Sequence, residues 1–396
     1  MPTHRFSDTD RVLIVGGGIG GSLLALVLAR QGVRVSVFDP KRTPAPSFRN
    51  EKLGEEQAEI LQALGALEPF ARVCLPPAGH PNAYAENPRL TDCGAHHHDW
   101  VAAVRAAWPD TVRFVESTVA DIETSATRQT VVTGDGTRHE GRLAVLASGR
   151  ASALHKTLGI EVKTVSAGHS VTLGFTVQGA RHVPAAVFQP LPNSRIGYVS
   201  LFPIASPAGA RATRVNIFSF RALSDDWTRR MSRDPLGGLA QIAPDAAAAL
   251  SGLALKERCE VRGTDLYHVR RHRRAGLVLL GDAFHAPCPS SGTGLLRVLS
   301  DARTLSGLIP GWLATPGMGL GKIAAYYRDP AKRWIDRTAL RRSLRSRKGA
   351  LMSGLETRLR GWLRAARQRL GLDAASRLAR LERRLHTRPA ARVQTH

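Results

Sequence analysis

Val12-Leu13-Ile14-Val15-Gly16-Gly17-Gly18-Ile19-Gly20-Gly21-Ser22 is a short, β-branched apolar run that ends on glycines. Such a run reads as a parallel strand buried on both faces. Ser22 to Arg30 then reads as a helix, and Val33–Asp39 as a second buried strand. Strand, glycine turn, helix and strand in this order open a doubly wound α/β fold. The glycines fit G-x-G-x-x-G, and each has a task. Gly16 permits the tight turn, Gly18 lets backbone approach a pyrophosphate, and Gly21 lets the helix pack on the strand. Ile19 and Gly20 complete the cradle, with the phosphates at the positive end of the helix. Asp39 ends the second strand, where its carboxylate accepts from a ribose 2′-hydroxyl and repels a 2′-phosphate. From this segment alone NAD and FAD both remain open, as does a glycine turn with no ligand.

Val12 to Ala29 carries no charge and imitates a membrane span, but glycine at this density breaks a helix. No transmembrane segment and no signal peptide are expected. Further on, Glu55 to Gly65 and Trp100–Trp108 read as helices, and Val112 to Leu146 as short strands around turns such as Gly134-Asp135-Gly136. Ser170–Val177 alternates Val171, Leu173, Phe175 and Val177; Ile196–Phe202 and Val215–Phe220 are also strand-like. Alternation of period two marks a half-exposed antiparallel sheet. Leu277–Leu280 returns to a buried strand, and beyond Asp301 the chain reads helical. Residues 1–75, 98–165 and 270–330 are therefore expected to form a discontinuous dinucleotide domain, 76–97 and 166–269 an inserted substrate domain, and 331–396 a basic helical segment. The fold class is α/β: a three-layer Rossmann-like domain, an inserted mixed or antiparallel sheet, and a helical C-terminus.

The 396 residues carry a net charge of +24, and residues 331–396 alone hold 19 Lys and Arg against 4 Asp and Glu. The basicity thus belongs to the C-terminus and not to the catalytic body. Between Leu351 and Leu370 an apolar stripe lies opposite an arginine face. That segment suits a partner reductase, an acidic carrier protein, a membrane surface or a lid; nucleic acid is not expected, because no recognition motif accompanies the charge. Cys74, Cys93, Cys259 and Cys288 stand far apart, suggesting neither a disulfide framework nor a zinc site, and a cytoplasmic location fits. His96-His97-His98 invites a metal, but consecutive histidines point in different directions, and no metal is expected. The run Arg270-Arg271-His272-Arg273-Arg274 reads as a solvated loop turning the chain into the sheet.

A second motif is longer: Leu280-Gly281-Asp282-Ala283-Phe284-His285, continuing through Cys288, Pro289, Gly292, Thr293 and Gly294 to Asp301-Ala302. It resembles the G-D motif of the single-component FAD-dependent aromatic hydroxylases. The resemblance covers most of residues 10–330 and implies FAD, with Gly281 and Asp282 at the ribityl chain and Pro289 and Gly292–Gly294 at the isoalloxazine. There a glycine turn opens a helix whose N-terminus stabilises the anionic reduced ring. The resemblance also places Arg49 over the FAD phosphates, His97 as a polar contact at the start of a helix, and Val119 against adenine. It implies that reduced FAD and O2 form a C4a-hydroperoxide that hydroxylates an electron-rich aromatic small molecule, with NADH or NADPH as electron donor. No general base is singled out, and Tyr198 and Tyr267 are the tyrosines considered for the pocket.

Three departures stand out. Ala147-Ser148-Gly149-Arg150 has Ser148 where the family's second fingerprint carries Asp, a form similar to the flavin-dependent halogenases, which take reduced flavin from a partner reductase. Leu296 replaces a customary Asn. The halogenases' tryptophan-rich motif is absent. Gly197-Tyr198-Val199-Ser200-Leu201-Phe202-Pro203 looks like the pocket lining of the geranylgeranyl reductases with Ser200 for tryptophan, which keeps open reduction of an isoprenoid or other apolar double bond. A binding protein that merely retains the FAD fold is a third reading.

Overall fold

The computed structural model describes residues 11–74, 93–150, 153–181, 183–205 and 211–352. The opening run is the central strand of a five-stranded parallel sheet. Across it lie Leu277–Leu279, Leu143–Leu146, Val12–Val15, Val35–Asp39 and Val112–Glu116. Alternate residues go to opposite faces. Val12, Ile14, Val35, Val37, Leu143, Val145 and Val278 pack under helices Ile19–Arg30, His97–Ala106 and Gly294–Leu313. Leu13, Val15, Phe38, Ala144, Leu146 and Leu279 meet Ile122 and Val131 of a meander, Val119–Glu123, Gln129–Thr133 and Arg138–Gly141. Burial on both faces is why Val12–Val15, Leu143–Leu146 and Leu277–Leu279 are unbroken apolar runs, whereas the edge strand Val112–Glu116 is partly exposed and carries Arg113 and Glu116. The three layers of the expected fold are thus helices, parallel sheet and meander.

The second sheet has nine strands. Its main path runs His285–Ala286, Glu260–Arg270, Glu161–Gln178, Arg211–Ser219, Ile196–Ala205, Cys93–His96 and Asn50–Leu53. Period-two alternation sorts its side chains. Val171, Leu173, Phe175, Val199, Leu201, Val215 and Ile217 form a core with the helices Asp226–Met231, Pro235–Ile242 and Pro244–Ala249. Local chemistry starts those helices. The Asp225 carboxylate accepts from the Trp227 and Thr228 amides, Asp234 accepts from the Gly237 amide, and proline opens the second and third. Thr172, Tyr198, Ser200, Phe202, Arg214, Asn216 and Phe218 face the other way, into a cleft.

Several features lay outside the sequence reading. The strand Glu161–Gln178 begins ahead of residue 166, its exposed first part paired with Leu266–Arg270, of which Tyr267 and His268 also pair with His285–Ala286. Asn50–Leu53 and Cys93–His96 pair with each other and extend the large sheet. The basic run 270–274 is not a plain solvated loop. Arg271 takes φ 55°, and the His272 ring sits edge-on to Phe284 at 5.0 Å and Tyr327 at 4.5 Å. Burial, then the charges of Arg273 and Lys332, push the His272 pKa down to about 4. Cys259 and Cys288 are free and buried, whereas Cys74 is disulfide-bonded, against the expectation of no disulfide.

Helix Pro330–Leu351 buries Ile335 and Ala339 along with Lys332 and Ser343. Residues 353–396 lie outside the described residues, and with them almost all of the stripe expected over 351–370. Among the described residues no helix is long and apolar enough to cross a membrane.

Candidate functional site

One cleft of about 1680 Å³ runs between the parallel sheet and the larger sheet. That exceeds the roughly 300–1,000 Å³ of an ordinary small-molecule pocket and suits a dinucleotide with a substrate beside it. It gathers Gly16, Gly18, Ile19, Gly20, Asp39, Arg49, His97, Ser148, Gly149, Gly281, Asp282, Pro289, Gly292 and Gly294 into one wall. Stretches more than 250 residues apart in sequence therefore meet here.

Three of the expected residues do not line it. Gly21 lies behind, where a Cβ would stand 2.0 Å from the Gly16 carbonyl oxygen. Val119 pairs with Thr133 in the meander, and Thr293 is fully buried, its hydroxyl 2.7 Å from Ser291 Oγ. Tyr198 is in the cleft, its ring tilted against that of Phe218 with centroids 4.5 Å apart. Tyr267 is behind it and donates to the Asp282 carbonyl at 2.9 Å. Leu296 packs into the helical core, and Cys288 is a buried thiol between Ser170 Oγ at 3.1 Å and Ser290 Oγ at 3.0 Å. Among the described residues no group of His, Cys, Asp or Glu is arranged to hold a metal ion.

The cleft wall has the features a flavin dinucleotide needs. Gly16 has φ 108°, and its missing Cβ would strike the Ala147 carbonyl oxygen at 2.4 Å, so the two fingerprints touch. Gly18, Gly149, Gly292 and Gly294 face open space. Helices Ile19–Arg30 and Gly294–Leu313 both begin at the cleft without a side-chain cap and without an acid in the first turn. Their first amides are left to bind a ligand's negative groups. Asp39 accepts from the Gly17 amide at 2.8 Å and the Lys41 amide at 3.0 Å, and a carboxylate has further lone pairs for a ribose. His97 Nδ1 stands 3.3 Å from Glu51 Oε1. Burial works to raise the Glu51 pKa, but His97 and Arg49 bring it below the ordinary value. Asp301 is not at the cleft surface; its Oδ2 accepts the Gly281 amide at 3.0 Å and fixes the G-D turn.

Sequence reasoning missed Arg105. Its Nε and Nη2 donate to the Gly17 carbonyl at 3.1 and 2.6 Å, and its Nη1 to the Lys41 and Arg42 carbonyls at 2.7 and 2.6 Å. Nη2 also stands 3.4 Å from Asp39 Oδ2. One guanidinium thus ties the glycine loop to the end of the second strand, and it explains a fourth glycine: a Cβ on Gly17 would meet Arg105 Nη2 at 2.5 Å. An Arg105→Met variant keeps the bulk and loses every donor. It should cost about 2–4 kcal/mol in urea unfolding of the cofactor-free protein; an unchanged midpoint would show that the loop is held by other means. Only the helix read over Trp100–Trp108 hinted at this position, and a helical pattern does not mark a clamp.

The opposite wall is aromatic and partly charged. Phe48, Tyr198, Phe202 and Phe218 line it together with Arg214, whose guanidinium lies 5.2 Å over the Phe48 ring and donates to Asn216 Oδ1 and the Phe48 carbonyl at 3.0 Å each. Burial pushes the Arg214 pKa down to about 10, which leaves it charged at neutral pH. Burial raises the Tyr198 pKa, with Cys288 adding to it, so the phenol stays a neutral donor.

Comparison with known proteins agrees with this geometry. Residues 9–310 match a family described as "FAD binding domain". The 3-amino-4-hydroxybenzoate 2-monooxygenase of Streptomyces platensis is 26% identical over 369 residues, covering 80% of this chain and 84% of that protein. Among solved structures, p-nitrophenol 4-monooxygenase of Pseudomonas putida superposes with a TM-score of 0.68 at 17% identity, covering 89% of this chain and 92% of that one. A flavin-dependent brominase superposes at 0.61 and 15% identity, covering 80% and 82%.

Proposed function

Since this chain belongs to the FAD binding domain family, we propose that it is an FAD-dependent monooxygenase that hydroxylates an electron-rich aromatic small molecule with O2. One observation carries the reading: the two glycine-rich segments at the ends of the family match converge on a single cleft whose far wall is aromatic. The hydroxybenzoate named for the Streptomyces relative supports an aromatic substrate.

FAD, when bound, supplies the redox chemistry and the activation of oxygen. The chain's own residues bind and orient. Gly16–Gly21 and the start of helix Ile19–Arg30 take the pyrophosphate, Asp39 the adenosine ribose, and Asp282 the ribityl hydroxyls. Arg49 approaches the phosphates, His97 makes a polar contact at the start of its helix, and Ser148 and Gly149 close the cradle from the next strand. The uncapped helix start at Gly292–Gly294 would stabilise the negative charge of a reduced flavin ring. Tyr198, Phe202 and Phe218 hold the substrate ring, and neutral Tyr198 donates to a substrate oxygen. The inserted sheet is in this reading the substrate domain.

Electrons come from NADH or NADPH, either directly or through a separate flavin reductase. Ser148 favours the reductase, the arrangement of a halogenase-like two-component enzyme. Arg333, Arg337, Arg341 and Arg345 stand exposed at every fourth position of helix Pro330–Leu351 beside the exposed Trp334, and offer an acidic reductase or carrier protein a basic face. A cytoplasmic location would supply the nicotinamide. The alternative of a double-bond reductase has less support, since Ser200 leaves its most distinctive pocket residue missing.

The test follows bound-flavin absorbance anaerobically after NADH or NADPH is added, and then after air is admitted with candidate phenols present. Bleaching by a nicotinamide, followed by oxygen-dependent product, is expected of a self-sufficient monooxygenase. No bleaching by either, with normal dithionite reduction, assigns the electrons to a reductase. A purified, folded protein that takes up no flavin at all would defeat the proposal.

A further inference from the structure

Arg297 lies on the second turn of helix Gly294–Leu313 with no exposed surface. Its Nη1 donates to the His285 carbonyl at 2.7 Å. Its other nitrogens face two carboxylates: Nη2 is 3.7 Å from Asp282 Oδ1, and Nε is 3.5 Å from Asp336 Oδ1. Nε, Nη2 and Asp336 Oδ1 are buried and make no hydrogen bond. A buried guanidinium keeps its charge only where acids offset it, and here two carboxylates face the nitrogens that make no hydrogen bond.

The neighbouring charges show what Arg297 is matched to. Lys332 Nζ bridges Asp301 Oδ1 at 2.9 Å and Asp336 Oδ2 at 3.1 Å, and both Lys332 and Asp301 are sealed from solvent. That leaves Arg297 as the inner counter-ion of Asp282. On the outer side, Arg49 Nη2 is 3.8 Å from Asp282 Oδ2, and its side chain is half exposed. Asp282 is therefore flanked by one immobile cation and one that a ligand can displace. Moving its carboxylate inward by about 0.8 Å would bring Arg297 to charge-assisted hydrogen-bond distance.

The geometry points to Arg297 as a positioning residue for Asp282, held in register by Asp336, so that helix Pro330–Leu351 is a working part of the flavin site. This rests on the reading of Asp282 as the ribityl ligand. The hydroxyl-bearing ribityl chain takes the outward lone pairs of Asp282, while Arg297 fixes the inward ones and so the direction in which the carboxylate points. The C-terminal helix contributes no atom to the cleft wall here. It sets the position of the guanidinium through Asp336, whose other oxygen Lys332 holds at 3.1 Å.

The experiment titrates FAD into apoprotein and reads the dissociation constant by flavin fluorescence, with the apoprotein melting temperature measured in parallel. Arg297→Met should weaken FAD by roughly tenfold to a hundredfold, the usual scale for a partner that orients a direct ligand. Asp336→Asn should weaken it by a smaller factor. The double variant should bind no worse than Arg297→Met alone, because Asp336 acts through Arg297. Arg297→Lys should recover part of the affinity, and it keeps the test available if the methionine variant does not fold. A dissociation constant within about twofold of the parent in Arg297→Met, or in Arg297→Lys where the methionine variant does not fold, overturns the proposal whatever the melting temperature does, as do independent effects of 297 and 336. Asp282→Asn separates the two levels. If it binds FAD normally, the ribityl reading of Asp282 has failed; if it binds weakly while the Arg297 variants bind normally, only the positioning role has failed.

Discussion

Replacing Gly21 by alanine should abolish FAD retention and lower the stability of the cofactor-free protein by about 3 kcal/mol or more. The added Cβ would stand 2.0 Å from the Gly16 carbonyl oxygen, and 3.1 Å from the Ile14 side chain. Neither neighbour can step aside. Gly16 is itself wedged against Ala147 on the far side, and Ile14 is fully buried in the central strand. The helix must therefore lift off the sheet, which also moves the Gly18 amide and the first turn away from the pyrophosphate. Gly18→Ala is the natural comparison, since its Cβ would meet nothing within 4 Å. It should leave the apoprotein stable and act on FAD alone. Chemical denaturation of both variants, with flavin content after desalting, checks the pair. Equal stability for Gly21→Ala and the parent would mean that the close helix–strand contact is not what the third glycine of the motif provides.

Much of the site was legible because its constraints are local. Gly16, Gly18 and Gly21 are dictated by backbone geometry over six residues, and Gly292 and Gly294 by the start of one helix. Their signal survives without knowledge of the rest of the fold. The alternation of Val171, Leu173 and Phe175 likewise reports one buried face of a half-exposed sheet, but it does not tell that the other face lines a cleft. The residues that escaped are those whose partners are distant in sequence. Arg105 serves the glycine loop 88 residues earlier, and Lys332 and Asp336 serve Asp301 and Arg297. In the sequence each looks like one more charge on a helix. The arginine-rich composition of the C-terminus actively hid them, because charge counted over 331–396 averages the buried Lys332 and the ion-paired Asp336 into a solvated basic face. Asn50–Leu53 escaped for a related reason: Asn-Glu-Lys-Leu has no strand-like alternation and becomes a strand only because Cys93–His96 pairs with it.

Lys332 carries the other large expectation. Lys332→Met should cost roughly 3–5 kcal/mol of stability, the scale for removing one partner of a buried ion pair. Its ammonium, 1% exposed, is the shared counter-ion of Asp301 and Asp336 and lies 4.5 Å over the Phe284 ring and 4.7 Å over that of Tyr326. Methionine fills a similar volume against those rings, so the loss isolates the charge rather than the packing. What remains is a fully buried Asp301 carboxylate whose other oxygen holds the Gly281 amide. The penalty should therefore appear at the G-D turn as well as in global stability, as weaker FAD binding in urea concentrations that leave the fold intact. A Lys332→Met, Asp301→Asn double variant removes the orphaned charge while the asparagine carbonyl still accepts from Gly281. It should recover a substantial part of the lost stability, although Asp336 still lacks its lysine. If the double variant is as unstable as the two single losses combined, Lys332 and Asp301 do not act as a pair, and the C-terminal helix is fastened to the body by packing through Ile335 and Ala339 rather than by charge.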